Sequence, residues 1–285
     1  PYTCPAVPSA MNLLSAGSTI RAFAINVGDT TLGDAGIDAY LDNVQVNSTS
    51  GLTTYDFEPV IPACSADDTT FDTFSNGSVN GQNGWESTGP FDQAIVTNDY
   101  GIASFGCKSF RLSNAVTSGS FGDQTFSYST ANEAGEVDST NGGKSGGTRV
   151  NRYEAQFDIA STQDAVQTGL SVTVSPDRGD GSRMSYLRFL DGTNGIEVYF
   201  YDVQGGDFIE TYLGLLDRSV PHTMKFLIDY NDGPSNDVVN IYIDGILAHT
   251  GTSWEDYYRF DPESAAEQTP RTSDSLLFRV AGTAA

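Results

Sequence analysis

Positive charge is scarce in this chain. Its 285 residues carry 14 Lys and Arg against 37 Asp and Glu, a formal charge of −23, with only two histidines. Binding to phosphates needs a basic surface that displaces counterions, so this balance argues against nucleic acid as a partner. Long apolar runs are missing as well: nothing approaches the ~18 consecutive apolar residues that a membrane-crossing helix requires. No leader peptide is legible ahead of Pro1, which reads as a processed start. Cysteine is limited to Cys4, Cys64 and Cys107, at spacings that fit no zinc motif. Cys107, in Phe105-Gly106-Cys107-Lys108, reads as a small core side chain. Cys4 and Cys64 bracket the first segment and are candidates for a bridge in an oxidising compartment, although spacing alone does not fix pairing. Absent too are a Ser-His-Asp nucleophile elbow, a P-loop and a dinucleotide glycine motif. The Gly-Lys-Ser in the 138–147 loop lacks the upstream glycine and reads as a flexible loop.

What the chain does have is aromatic residues, 11% of the total, and 30 glycines. A disordered chain would lack the aromatics, so the profile is that of a turn-rich globular β protein. Strong acidity, few lysines and loops rich in Asn, Gly and Thr place it outside the cell or on its surface. Alternation with period two is the dominant pattern. Tyr153, Ala155, Phe157 and Ile159 share one face, with Arg152, Glu154, Gln156 and Asp158 on the other. Leu170, Val172 and Val174 repeat it. The run 184–201 reads as a hairpin turning at 191–195, with Ile196, Val198 and Phe200 inside and Glu197, Tyr199 and Tyr201 outside. Further strands fall at 224–230, 238–243 and 276–280, and the turn-rich run 231–237 joins the first two of them. Only 253–258 and 261–267 have the look of single helical turns. The expected class is all-β, with two packed antiparallel sheets.

The first 60 residues relate oddly to the rest. Ile20–Val27 followed by Gly28-Asp29-Thr30 resembles Leu276–Ala281 followed by Gly282-Thr283. After the first run the chain continues into a further strand, 37–46; after the second it has no such continuation. The order reads as cyclically shifted, and it divides the chain into an N-terminal strand segment (1–60), a linker (61–70) and a sandwich (71–285). The segment 1–60 either closes its own sandwich or fills the open edge of a neighbouring copy, which is a route to self-association.

Three stretches carry a family resemblance: the opening Phe71-Asp72-Thr73-Phe74, the turn Asn231-Asp232-Gly233-Pro234-Ser235-Asn236-Asp237 leading to Ile241-Tyr242-Ile243-Asp244-Gly245, and Tyr40-Leu41-Asp42-Asn43-Val44. Together they resemble the concanavalin A-like lectin/glucanase superfamily, in the flavour of the laminin-G-like jelly rolls of bacterial extracellular proteins. The resemblance covers about 66–285, with 20–47 fitting as closing strands. It implies a two-sheet jelly-roll sandwich with the N-terminal segment supplying closing strands, and a concave sheet that carries ligands.

Outward-facing residues on that sheet are then expected to include Arg111, Glu154, Gln156, Ser171, Thr173, Tyr186, Arg188, Glu197, Tyr199 and Tyr201. Flat aromatic faces suit sugar C–H surfaces, and Arg, Glu and Gln suit hydroxyls and carboxylates. The expected carbohydrate-binding set is Arg111, Gln156, Tyr186, Arg188, Tyr199 and Tyr201, and the arginines suit an anionic sugar. The plain alternative is an ordinary solvated sheet face, where Tyr, Thr and Arg are common. The function expected is an extracellular carbohydrate-recognition or adhesion module whose partner is a polysaccharide or glycan. A second reading is a polysaccharide lyase or glycoside hydrolase, with Glu154, Glu197 and Tyr199 as catalytic candidates. The superfamily's Glu-x-Asp-x-x-Glu glucanase signature is absent. A third reading is a structural repeat unit linked by donated strands. The resemblance also implies a structural calcium ion held by Asp42, Asp72 and Asn76. Asp229, Asp232, Asn236 and Asp237 form a second acidic loop that reads equally well as a hydrogen-bonded turn. His222 and His249 read as surface histidines. The tripeptide Arg178-Gly179-Asp180 sits in a turn and is explained by turn chemistry.

Overall fold

A computed structural model describes residues 44–48, 51–55, 71–89, 91–100, 102–113, 123–130, 151–178, 181–260 and 272–281. The chain forms two compact units, Pro1–Glu58 and Pro59–Ala285. In the first unit the described residues make one antiparallel hairpin. Its strands are β1 (Val44–Ser48) and β2 (Gly51–Tyr55), with Val44 opposite Tyr55 and Ser48 opposite Gly51. The expected strand over Ile20–Val27 lies outside the described residues, as does the helical turn at 261–267.

The second unit is antiparallel β throughout its described residues, apart from 3₁₀ turns and one short helix. It opens with short strands: β3 (Gly77–Ser78), β4 (Glu86–Ser87), β5 (Gln93–Thr97), β6 (Lys108–Leu112) and β7 (Thr125–Phe126). Longer strands follow: β8 (Arg152–Ile159), β9 (Ser171–Asp177), β10 (Tyr186–Gly192), β11 (Gly195–Gln204) and β12 (Asp207–Leu216). The unit continues with β13 (His222–Asp229), β14 (Val238–Ile243), β15 (Ile246–Gly251), helix α1 (Glu255–Phe260) and β16 (Ser275–Ala281).

These strands assemble into a seven-stranded sheet in the order β12-β11-β10-β9-β16-β7-β4, a four-stranded sheet β15-β14-β13-β8, and a three-stranded sheet β3-β5-β6. Tight turns set the hairpins. Gly205 and Gly206, with φ of 61° and 92°, connect β11 to β12, and Asp244 and Gly245, at 51° and 78°, connect β14 to β15. Two consecutive positive φ values match the twist of the flanking strands, which is why such turns favour Gly and Asp-Gly.

Alternation places the core as the sequence leads one to expect. Leu187 and Phe189 of β10 and Val198 and Phe200 of β11 pack in one cluster with Phe226 and Ile228 of β13 and Val239 and Ile241 of β14. Phe157 of β8 meets Phe189 edge-on at 6.2 Å. The seven- and four-stranded sheets therefore face each other across a shared core, with their outer faces on opposite sides. Beside it, Phe71, Phe74, Trp85 and Phe110 form an aromatic knot, in which Trp85 stacks on Phe278 of β16 at 5.6 Å and Phe110 meets the same ring at 5.4 Å. That knot attaches the three-stranded sheet to the same inner face.

Two expectations need correcting. Among the described residues, the layer opposite the seven-stranded sheet is not one sheet but two separate pieces. Cys107 is not a core thiol: it is disulfide-bonded, to a partner outside the described residues. With three cysteines in the chain, a Cys4–Cys64 bridge cannot coexist with it.

Candidate functional site

On the outer face of the seven-stranded sheet, strand pairing lines up side chains across neighbouring strands. Tyr212 of β12, Tyr199 of β11 and Arg188 of β10 stand in one row, and Glu210, Tyr201 and Tyr186 in the next. The Tyr186 and Tyr201 rings stack at 4.3 Å and 17°. Tyr199 and Tyr212 meet at 5.4 Å. The Arg188 guanidinium lies 4.5 Å from the centre of the Tyr199 ring and 5.6 Å from that of Tyr201, and it donates to Glu210 at 2.7 Å. Tyr199 donates its hydroxyl to Glu197 at 2.6 Å.

The platform continues onto the loop before α1. Trp254 meets Tyr186 at 5.8 Å, Phe208 at 4.8 Å and Tyr257 at 5.9 Å, and its indole N–H donates to the Tyr201 carbonyl at 3.3 Å. Tyr212 and Phe208 are more than half exposed, at 55% and 51%.

What holds Trp254 in place is the acidic turn that the sequence singles out. Asp237 accepts the backbone N–H of Asn231 at 2.8 Å and the hydroxyl of Ser253 at 2.5 Å. Glu255 accepts the N–H groups of Asn236 and Asp237 at 2.6 and 2.8 Å, and Asp256 accepts that of Ser235 at 3.0 Å. The turn is thus hydrogen-bonded rather than a cation cage, and it clamps the residues on both sides of Trp254.

Electrostatics suit binding better than proton abstraction. The hydrogen bond to Glu197, helped by that carboxylate's charge, holds the Tyr199 phenol above the ordinary tyrosine range. Burial does the same to Tyr186, against the opposing charges of Arg183 and Arg188. Both hydroxyls therefore stay protonated at neutral pH and act as donors. Glu197 and Glu210 are the face's central carboxylates. Glu210 pairs with Tyr201, four residues along β11 from Glu197, so about 13 Å of strand separates them at ~3.3 Å per residue. Carboxylates that flank a scissile glycosidic bond stand roughly 5–9.5 Å apart.

The residues expected on one face are in fact distributed over three sheets. Tyr186, Arg188, Glu197, Tyr199 and Tyr201 come together, with Ser171 and Thr173 on neighbouring β9. Glu154 and Gln156 sit on β8, on the outer face of the opposite layer, so Glu154 and Glu197 do not form a pair. Glu154 is bound to Lys225 at 2.6 Å, and that contact lowers its pKa, which keeps it ionised and unsuited to the role of a general acid. Arg111 belongs to β6 and forks onto Asp92 at 3.1 and 3.0 Å. Its charge is met there, in a sheet separate from that of the platform. His222 bridges Asp244 at 2.8 Å and the Asp217 carbonyl at 3.1 Å, and His249 packs 5.2 Å from the Phe200 ring. Arg178 is 5% exposed and donates to Ser182 at 2.6 Å, so it is not displayed as part of an adhesion tripeptide.

Of the expected calcium ligands, Asp72 and Asn76 are described, and both already hold protein partners. Asp72 accepts the N–H groups of Cys107 and Lys108 at 2.9 and 3.0 Å, and the Asn76 amide donates to Thr97 at 2.9 Å. The Lys108 ammonium donates to the backbone carbonyls of Phe74 and Asp72. The ammonium thus meets two backbone carbonyls beside the expected side-chain ligands, and calcium would need about six to eight oxygens in all. Asp42 lies outside the described residues, and no group of three or more acidic, His or Cys side chains among them is placed to hold a metal.

Sequence reasoning missed Phe208, Glu210, Tyr212 and Trp254. The first three lie on β12, where Phe208, Glu210 and Tyr212 alternate with Ile209, Thr211 and Leu213, a legible period-two signal. Trp254 gave no signal of its own, because its place depends on the distant acidic turn.

No family model matches this chain, and no curated protein matches it. Similar solved structures include a sialidase, with a TM-score of 0.40 and 9% identity over 69% of this chain and 13% of that one. An endo-1,3-beta-glucanase from Streptomyces sioyaensis gives 0.33 and 11% over 67% and 64%. Beta-agarase A from Zobellia galactanivorans gives 0.29 and 11% over 70% and 74%. The chain spans less than two thirds of the first two proteins. At these scores and identities the likenesses assign neither a family nor an activity.

Proposed function

We propose that the outer face of the seven-stranded sheet binds a polysaccharide, with Tyr199, Tyr201, Tyr186, Tyr212 and Trp254 as the stacking surface and Arg188 and Glu210 as the polar readers. The observation that carries this reading is the ordered aromatic row, partly exposed on the sheet's outer face, with a paired Arg and Glu set into it. Such rings offer wide, stiff contact area to sugar C–H faces. Arg188 already meets Glu210, and the chain's charge of −23 repels a polyanion. The preferred glycan is therefore neutral. A disulfide at Cys107 supports an oxidising, extracellular setting.

A second reading, cleavage of a glycan on the same face, rests on one contact. Glu197 and the Tyr199 hydroxyl form the kind of acceptor–hydroxyl pair that a proton transfer needs.

Affinity electrophoresis against neutral and uronate polysaccharides, followed by mass spectrometry of any soluble products, separates these readings. Retardation by a neutral polysaccharide with no products is the expected result. Oligosaccharides short of one water or of full hydrolytic mass would move the assignment to the second reading. No retardation by any polysaccharide would remove the first.

A further inference from the structure

The outer face of the four-stranded sheet carries a depression of about 510 Å³. It is lined by Gln156 of β8, Thr223 and Lys225 of β13, Tyr242 of β14, and Asp244 and Gly245 of the turn that follows. Strand pairing explains why these side chains meet. Gln156 lies opposite Lys225, Lys225 opposite Tyr242, and Tyr242 opposite Leu247, so one row crosses all four strands. Its β8 end is polar. Its β15 end is apolar, with Leu247 51% exposed beside the half-buried Tyr242.

The charges in and around this row are already balanced. The Lys225 ammonium is bound to Glu154 at 2.6 Å and lies 5.3 Å from the centre of the Tyr242 ring. Asp244 meets His222 at 2.8 Å and accepts the Thr223 N–H at 2.9 Å. What remains is neutral hydrogen-bonding capacity. Among the described residues, neither the exposed Gln156 amide nor the Tyr242 hydroxyl has a hydrogen-bond partner in the protein. The amide offers donors and an acceptor, and the phenol one of each. An anionic ligand would need a cation without a partner, which Lys225 is not. A wholly apolar ligand would bury Gln156 and Asp244 against nothing that can bond them. A sugar ring, with C–H surface beside hydroxyls, meets both halves of the row, and the volume lies within the ~300–1,000 Å³ of small-molecule sites.

We propose that this depression is a second saccharide site, selective for a neutral glycan. Tyr242 and Leu247 meet sugar C–H surface, and Gln156, Lys225 and Asp244 bond hydroxyls. The site shares no residue with the tyrosine platform, which stands on the other sheet, and it does not depend on that platform binding anything. Gln156 thereby keeps the carbohydrate role expected of it, on a different sheet from Tyr199. Where the platform reading also holds, one chain joins two polysaccharide strands, because the two outer faces lie on opposite sides of the core.

Nitrogen–proton correlation NMR on the full, oxidised chain tests the site. The probes are cellohexaose, laminarihexaose and mannohexaose. At least one is expected to shift the Gln156 side-chain amide and the backbone amides of 242–247 saturably. Tyr242→Ala should weaken that response by about tenfold or more, and Gln156→Ala by about threefold. The signals of β10 and β11 should stay in place in both variants and so report an intact fold. Should Tyr242→Ala unfold, Gln156→Ala, at an exposed position, carries the test alone. No response at these positions with any of the three probes would overturn the proposal, as would a response indifferent to the variants. Shifts confined to β10–β12 would overturn this site and leave the platform standing. Shifts confined to Gln156 and 242–247 would support this site and count against the platform.

Discussion

Tyr199 is held from two sides, by Glu197 at its hydroxyl and by Arg188 over its ring. If the ring is what a glycan meets, Tyr199→Phe should keep affinity within about threefold. Tyr199→Ala should lose roughly tenfold, on the order of 1.4 kcal/mol. Titration calorimetry against a neutral polysaccharide checks both, and equal losses would shift the role from ring to hydroxyl. Lys108 offers a second test at this scale. Replacing it by Met leaves the carbonyls of Asp72 and Phe74 without their cationic donor, at an expected cost of about 1–3 kcal/mol in denaturant unfolding. Chelator tests the calcium expectation directly: a melting temperature that moves by less than a few degrees leaves it without support, and a larger fall supports it. Alternation was enough to assign Glu197, Tyr199 and Tyr201 outward and Ile196, Val198 and Phe200 inward, because period two is a local property. It misplaced Arg111, Glu154 and Gln156 because facing outward on a strand says nothing about which sheet the strand joins.

Among the elements, β12 and the α1 loop are where the platform was hidden. β12 reads as a strand once its alternation is followed, but its partner is set by the Gly205-Gly206 turn. The position of Trp254 rests on the contacts of Asp237, Glu255 and Asp256, between residues that are far apart in sequence. Burial raises the Glu255 pKa above its ordinary 4.5, against the Asp237 and Asn236 amides that lower it. A raised pKa means the folded chain holds that proton more tightly than the unfolded chain does. The resulting stabilisation is complete below pH ~4.5 and is lost as pH climbs through the raised value. Melting temperature measured across that window should therefore decline less in Glu255→Gln than in the natural chain. Parallel declines would show that Glu255 does not govern the pH dependence of this clamp.

For the whole molecule, the all-β class and the facing of two layers were legible in alternation and turn chemistry. The division of the second layer was not, since strand edges have no signature in a single chain. Net charge acts at this scale too. With a formal charge of −23 and the Arg188 charge met by Glu210, binding of a neutral polysaccharide should change less than about threefold between ~0.05 and ~0.5 M salt. A steep salt dependence would point to an anionic ligand instead. The chain's two tryptophans divide the molecule usefully: Trp85 is in the core knot at 8% exposure, and Trp254 stands on the platform. The most direct measurement is tryptophan fluorescence during titration with neutral polysaccharides, in the natural chain and in Trp254→Phe. A saturable emission change that disappears in Trp254→Phe, while retardation in affinity electrophoresis persists, is the predicted result. No change with any polysaccharide, or a change that survives the substitution, would contradict the assignment of this face as the binding surface.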